Sequence, residues 1–244
     1  MIRGIYIAAS GLLAESARQD VIANNLANAT TTGFKRSDSI ASPFQEMLLR
    51  SQGMPGTPEV GDLAMGAQVQ GIEMIDSQGA LRFTGNTLDI ALVGGGHFTV
   101  DTPAGRRYTR DGSFQLDTAG RLVTKEGHAV LGANGSPIVL DRGEVRFAAD
   151  GTVTQGGAVK GTLMITALEP GSIRQESMNL LSGTPQGAPT AEVRQNHLES
   201  STVNVVSEMV ELIRVMRSFE SNQKAVQSHD EALQASITKV GAVG

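Results

Sequence analysis

Hydrophobic positions recur at helical spacing at the two ends of the chain and alternate in between. From Ile2 to Leu26 there is no proline, and glycine occurs only at positions 4 and 11. Ile2, Ile5, Ala9, Leu12, Ser16, Gln19, Ala23 and Leu26 follow steps of three and four, the spacing of a heptad stripe. Ile7, Leu13, Val21 and Ile22 lie off that stripe. A helix apolar on nearly all sides is one that several neighbours enclose. Asn28, Thr30, Thr31 and Gly33 then form a stop signal. At the other end Val205, Met209, Leu212, Met216, Phe219, Gln223, Val226, Asp230, Leu233, Ile237 and Val240 again step by four and three. Glu211, Arg214, Arg217, Ser218, Ser221, Lys224 and Ser228 lie between them and are polar. No glycine or proline interrupts residues 203–240, so the pattern predicts a helix on the order of 50 Å long.

Between these ends the period falls to two. Short runs suited to strands cover 67–76, 88–93, 97–101, 113–117, 121–124, 144–148, 160–168 and 191–198. Asp111-Gly112, Asn134-Gly135 and Asp150-Gly151 are turn pairs, and Gly94-Gly95-Gly96 reads as a tight turn between strands. Residues 50–66, with Pro55 and Pro58, read as an extended connector. The expected fold is α+β: long N- and C-terminal helices forming a coiled-coil-like pair, with an inserted, mostly antiparallel β domain. The expected divisions are an N-terminal assembly helix (1–30), a connector (31–66), a β domain (67–200) and a C-terminal assembly helix (201–244).

The energetics of the ends point to assembly. Fixing the backbone of each helical residue costs roughly 1–2 kcal/mol before hydrogen bonds offset it. Each large apolar side chain returns about 1.5–3 kcal/mol when fully buried. One partner helix covers only one face, so neighbouring copies are needed to complete both ends. Non-closing contacts of that kind generate filaments. The β domain, by contrast, is expected to carry its own core, so that a fragment of residues 65–200 would fold alone.

Composition narrows the alternatives. The 244 residues carry a net charge of −5, and no segment interleaves basic with aromatic residues, which argues against a nucleic-acid partner. Cysteine is absent, which excludes disulfides, thiolate–zinc sites and thiol nucleophiles. His97, His128, His197 and His229 share no ligand spacing. None of the serine-hydrolase, zinc-protease or phosphate-loop patterns occurs, and the acidic residues are dispersed. No enzymatic activity, metal, cofactor or small-molecule substrate is expected. No apolar run approaches the ~20 residues that span a bilayer, so no direct membrane insertion is expected. The apolar run near Ile5–Leu13 is short and continues into the helix, so it is read as retained and not as a cleaved leader.

Several motifs resemble one family across nearly the whole chain. Val21-Ile22-Ala23-Asn24-Asn25-Leu26-Ala27-Asn28, followed by Thr32-Gly33-Phe34-Lys35, is similar to the N-terminal signature of flagellar rod, hook and hook-associated proteins. Glu199-Ser200-Ser201-Thr202-Val203-Asn204, Glu208-Met209-Val210 and Arg217-Ser218-Phe219-Glu220 resemble their C-terminal signature. Thr84–Ala91, Tyr108–Phe114 and Gly120–Thr124 add central matches. Thr202 departs from the asparagine more usual there. Gly127–Gly132 and Ala149–Val153 look most like the proximal-rod branch, and the short segment 44–66 argues against the distal-rod branch, which stays the alternative.

The resemblance implies a basal-body rod subunit that crosses the periplasm within a hollow tube. It would pass unfolded through the flagellar type III export apparatus and assemble with itself and other rod subunits. Its C-terminal helices would line the channel, with the N-terminal helices outside them. The candidate assembly residues are Ile5, Leu12, Ile22, Asn24, Asn25, Leu26 and Asn28 in the first helix. In the last helix they are Val205, Met209, Leu212, Met216, Phe219, Val226 and Leu233. Phe44-Gln45-Glu46-Met47-Leu48 resembles an export-docking element carried by Phe44 and Leu48, although a Phe–Leu pair four apart also suits ordinary packing. The asparagine cluster suits either helix capping or inter-subunit hydrogen bonds. A secreted β-domain adhesin or adaptor, with helical ends forming closed oligomers, is the alternative from another class.

Overall fold

A computed structural model describes residues 2–43, 46–50, 59–64, 66–141, 143–177, 179–187, 189–241. Helix α1 spans Ile2–Ala27 and helix α2 spans Val205–Gly241, close to the limits the periodicity predicts. Between them lie short strands whose pairings are antiparallel. The fold is α+β. The chain divides into two units. One holds Met1–Leu26, Ser37–Glu73 and Val205–Gly244, and the other holds Ala27–Arg36 and Met74–Asn204.

In the helical unit, α1 and α2 run side by side in opposite directions. Glu15 Oε1 accepts the Ser218 hydroxyl at 2.7 Å, Arg18 pairs with Glu211, and Asn25 Nδ2 donates to Glu208 Oε2 at 3.3 Å. Gly4 and Gly11 are the reason α2 approaches so closely near the start of α1. A Cβ at Gly4 would lie 2.6 Å from the His229 ring, and one at Gly11 3.0 Å from the Asn222 amide. Polar pairs at these levels fix the relative register of the helices, because a shift by one turn would leave each of them without its partner. Glu208, in the first turn of α2, also suits the positive end of the helix dipole. Ser37–Pro43 pairs with Ala67–Met74, and Glu46–Arg50 pairs antiparallel with Glu59–Ala64. The stretch expected as an extended connector therefore contains paired strand on both sides.

The β unit is built on an eight-stranded sheet. Its central strand, His97–Thr102, pairs with Gly105–Thr109, Ala129–Val130 and Ile165–Thr166. A three-stranded sheet (Val145–Phe147, Thr152–Gln155, Ala158–Thr162) and the pair Ile90–Val93 with Glu192–Gln195 complete the core walls. Ile90, Leu92, Phe98, Val100, Leu122, Val130, Val153 and their neighbours form one apolar cluster. Phe98 and Phe114 meet edge to face at 5.1 Å.

Local chemistry explains the turns. Gly156 and Gly157 both have positive φ (57° and 83°), as a two-residue hairpin loop requires. Asp150 Oδ1 accepts the Thr152 N–H at 2.9 Å across the turn at Gly151. Asp111-Gly112 does not form the expected turn. Gly112 lies against Ile90, whose N–H donates to its carbonyl at 3.0 Å, and a Cβ there would overlap the Ile90 oxygen at 1.6 Å. The glycine serves a backbone crossing, and the acidic side chain holds Ser113 instead. Gly94-Gly95-Gly96 is a bend between strands that belong to different sheets.

The apolar core cluster lies within residues 88–193, and residues 27–36 join the same β unit, where Phe34 is buried and Lys35 is sealed with it.

Candidate assembly surface and buried charge cluster

Helix α2 carries two apolar stripes. Val215, buried among the helices, and the half-buried Leu212, Phe219, Val226 and Leu233 lie on one side. On another, Val206, Met209, Val210, Ile213 and Met216 step by three and four and stay exposed, Val206 at 71% and Ile213 at 52%. Helix α1 likewise exposes Tyr6 and Leu13, seven residues apart and each 74% exposed. Large apolar side chains left in water at regular spacing mark a surface that another molecule covers.

The expected assembly residues fall into several environments. Val205, Met209 and Met216 are exposed, whereas Leu212, Phe219, Val226 and Leu233 are half-buried. In α1, Ile22, Asn25 and Asn28 are buried, Ile5, Leu12 and Leu26 are half-buried, and Asn24 is exposed. Asn25 holds the backbone of Ser37 with both ends of its amide: Nδ2 donates to the carbonyl at 2.8 Å and Oδ1 accepts the N–H at 3.0 Å. The side chain thus substitutes for a neighbouring strand. Asn28 accepts from the Thr31 hydroxyl at 3.2 Å, just past the helix end. Phe44 lies outside the described residues, as does the side chain of Leu48, whose backbone is in the strand Glu46–Arg50. Sequence reading missed Val206, Val210 and Ile213, although their four-and-three spacing was a usable signal.

It also missed a buried charge cluster in the β unit. Lys35 Nζ donates to Glu199 Oε1 at 2.6 Å, with the two side chains 2% and 1% exposed. The Gly79 N–H donates to the same oxygen at 2.7 Å, and Arg110 Nη1 reaches Oε2 at 3.4 Å. Arg110 Nη2 donates to the Gly94 carbonyl at 2.7 Å. Asp76 stands 3.9 Å from Lys35 and 3.7 Å from His97 Nε2. Burial lowers the Lys35 pKa, and Glu199 opposes the shift. Burial also pushes His97 down to about 4, against the pull of Asp76 and with the help of Arg110 and Lys35. Both His97 ring nitrogens and Arg110 Nε lack a hydrogen-bond partner, as a neutral imidazole wedged beside two cations would.

The segment carrying Lys35 is threaded through this cluster. The Gly33 N–H donates to the Glu199 carbonyl at 2.8 Å, the Thr202 N–H to the Phe34 carbonyl at 3.1 Å, and the Ile75 N–H to the Arg36 carbonyl at 2.8 Å. The Thr202 hydroxyl accepts the Arg36 N–H at 2.9 Å, so threonine at this position is put to local use. Among the described residues no three His, Asp or Glu side chains converge to hold a metal, and no helix is long and apolar enough to cross a membrane. A cavity of about 510 Å³ beside Val145–Phe147 presents Glu144 and Arg146, which pair with each other at 3.1 Å.

Paired terminal helices that leave regularly spaced apolar side chains uncovered suit a structural subunit that packs against other molecules. The comparisons with known proteins identify the kind. Residues 5–35 match the family described as flagella basal body rod protein, and residues 91–160 match the flagellar hook protein FlgE/F/G D1 domain. Residues 194–239 match the flagellar basal body rod FlgEFG protein C-terminal family. The chain is 34% identical to the flagellar basal-body rod protein FlgG of Bacillus subtilis over 264 residues, covering 96% of this chain and 97% of that one. It is 34% identical over 241 residues to FlgF of Mesorhizobium japonicum (94% and 95% covered). It is 32% identical over 250 residues to FlgF of Rhizobium meliloti (99% of each). The chain belongs to the flagellar basal-body rod protein family. It is a structural component of the bacterial flagellar basal body, and the closed-oligomer adhesin reading is set aside.

Proposed function

We propose that this chain is a proximal-rod subunit that polymerises with itself and other rod subunits into a hollow helical tube, its terminal helices forming a coiled-coil-like pair packed against those of neighbours. The observation that carries this reading is the uncovered stripe Val206, Met209, Val210, Ile213 and Met216. The side of α2 holding Val215 is buried within the chain, whereas this stripe is exposed and offers its apolar surface to a second subunit. The candidate residues Leu212, Phe219, Val226 and Leu233, with Ile5, Leu12 and Leu26, serve the helix pair. Met209, Met216 and Val205 serve the neighbour. Delivery through the type III export apparatus is part of the same reading, with Phe44 and Leu48 as its docking element. The chain works by assembly and carries out no catalysis.

The proximal position rests on chain length. The match to the Bacillus FlgG runs over 264 residues, longer than this chain's 244, so that relative has segments this chain lacks. The match to the Mesorhizobium FlgF runs over 241. A distal position is the second reading, favoured by equal identity to FlgG and FlgF.

The test is Ile213→Glu. A carboxylate on an exposed site leaves the monomer folded but places an unpaired charge in the subunit contact. Circular dichroism and urea unfolding should match the unmodified protein, while rod assembly and swimming are lost. Normal swimming with Ile213→Glu would overturn the assignment of this stripe. Cross-linking from position 213 to FlgG-type or FlgF-type neighbours separates the two positions.

A further inference from the structure

We propose that Gly33–Arg36 is the closing segment of the β unit, so that the unit completes its fold only when residues near both ends of the chain are present together. This deepens the reading of the chain as an exported rod subunit and rests on it only for its biological use.

Three independent features carry the inference. The first is backbone: the segment receives hydrogen bonds from Ile75 and Thr202 and gives one to Glu199, so it joins stretches on both sides of the β core. The second is steric. Gly33 has φ +69°, and a Cβ there would lie 2.5 Å from the Arg110 carbonyl carbon and 2.6 Å from the Asp111 nitrogen. Across the same seam, a Cβ on Gly79 would lie 2.2 Å from the Ser200 oxygen. Neither glycine tolerates a side chain, because backbone segments lie directly against each other there. The third is electrostatic. Glu199 is 1% exposed, and its strongest cationic partner, Lys35, comes from 164 positions earlier in the chain. Without Lys35, Glu199 keeps the Gly79 N–H at 2.7 Å and a single cation, Arg110, at 3.4 Å, and a buried carboxylate that loses its nearest charge partner is strongly disfavoured.

The cluster therefore couples distant parts of the chain to one event. While either residues 33–36 or residues 199–202 are held back, the core strands lack the seal that neutralises Glu199 and Arg110. A contact so distant in sequence also closes late, because the loop must be ordered before the contact stabilises it. For a subunit in transit, this keeps the β unit open until almost all of it has emerged, whichever end leads. A single device thereby delays folding and then locks the fold.

The test uses the full chain and two readouts. Native-state hydrogen exchange should give the Gly33 and Thr202 amides the same opening free energy as core amides such as Val100 and Val153. In Lys35→Met all of these should exchange faster by the same factor, on the order of 100-fold, and Lys35→Met combined with Glu199→Gln should recover much of the loss. Fast, independent opening of Gly33 and Thr202 over a core that stays protected would overturn the proposal, as would a Lys35→Met chain with unchanged core exchange. Secretion of the unmodified chain is scored separately. A chain that closes cooperatively but is never secreted would leave the closure standing and refute the export reading.

Discussion

His97 makes the β unit acid-sensitive, and the size of the effect follows from its surroundings. The ring is 1% exposed, its two nitrogens have no hydrogen-bond partner, and its pKa falls from 6.5 to about 4. Asp76 pulls the other way from 3.7 Å, but that carboxylate is 31% exposed and its charge is screened by water. Lys35 and Arg110 sit in the dry interior and repel a second proton. In the unfolded chain the imidazole titrates near its ordinary value. Between pH 6.5 and 4 the unfolded state therefore binds more protons than the folded one, and stability rises with pH across that window. The contribution is complete above pH 6.5 and is lost as pH falls toward 4. About 2.5 pKa steps correspond to about 3 kcal/mol, a large share of the ~5–15 kcal/mol that holds a domain together. Urea unfolding followed by circular dichroism at pH 7.5, 6, 5 and 4.5 should show the midpoint falling steadily. His97→Gln, neutral throughout, should flatten most of that slope. An equal slope in both proteins would show that carboxylates, and not this imidazole, govern the acid response.

Two further outcomes follow. Gly33→Ala should destabilise the β unit by about 3 kcal/mol or more, combining left-handed backbone strain with overlap against Arg110 and Asp111; an unchanged urea midpoint would mean the segment is free to move away. Phe44→Ala should lower secretion of the subunit without lowering its cellular level, and unchanged secretion would leave Phe44 as ordinary packing.

The terminal helices and the family were legible in the sequence because both depend on local or linear information. Uninterrupted apolar spacing specifies a helix whatever it packs against, which is why α1 and α2 begin and end near the predicted residues. Strand positions were legible where two or more core residues alternate, as at 97–101 and 144–148. They were missed at Leu81–Phe83, whose side chains are mostly exposed, and at Gly105–Thr109, where only Tyr108 and Thr109 are buried, so that neither stretch alternates and each depends on a partner strand. Asp111-Gly112 has the composition of a turn, yet its glycine is needed because Ile90 crosses there, a fact no local pattern contains. The stripe through Val206, Val210 and Ile213 was present in the spacing. Only packing could tell which of two apolar faces of α2 is occupied within the chain and which is open to a neighbour. The charge cluster was beyond sequence reasoning for a plainer reason. Lys35, His97, Arg110 and Glu199 are each unremarkable in the sequence, and their chemistry arises when folding removes them together from water beside the partly exposed Asp76. Burial turns scattered ionisable residues into an interdependent set, and burial is a property of the tertiary structure alone.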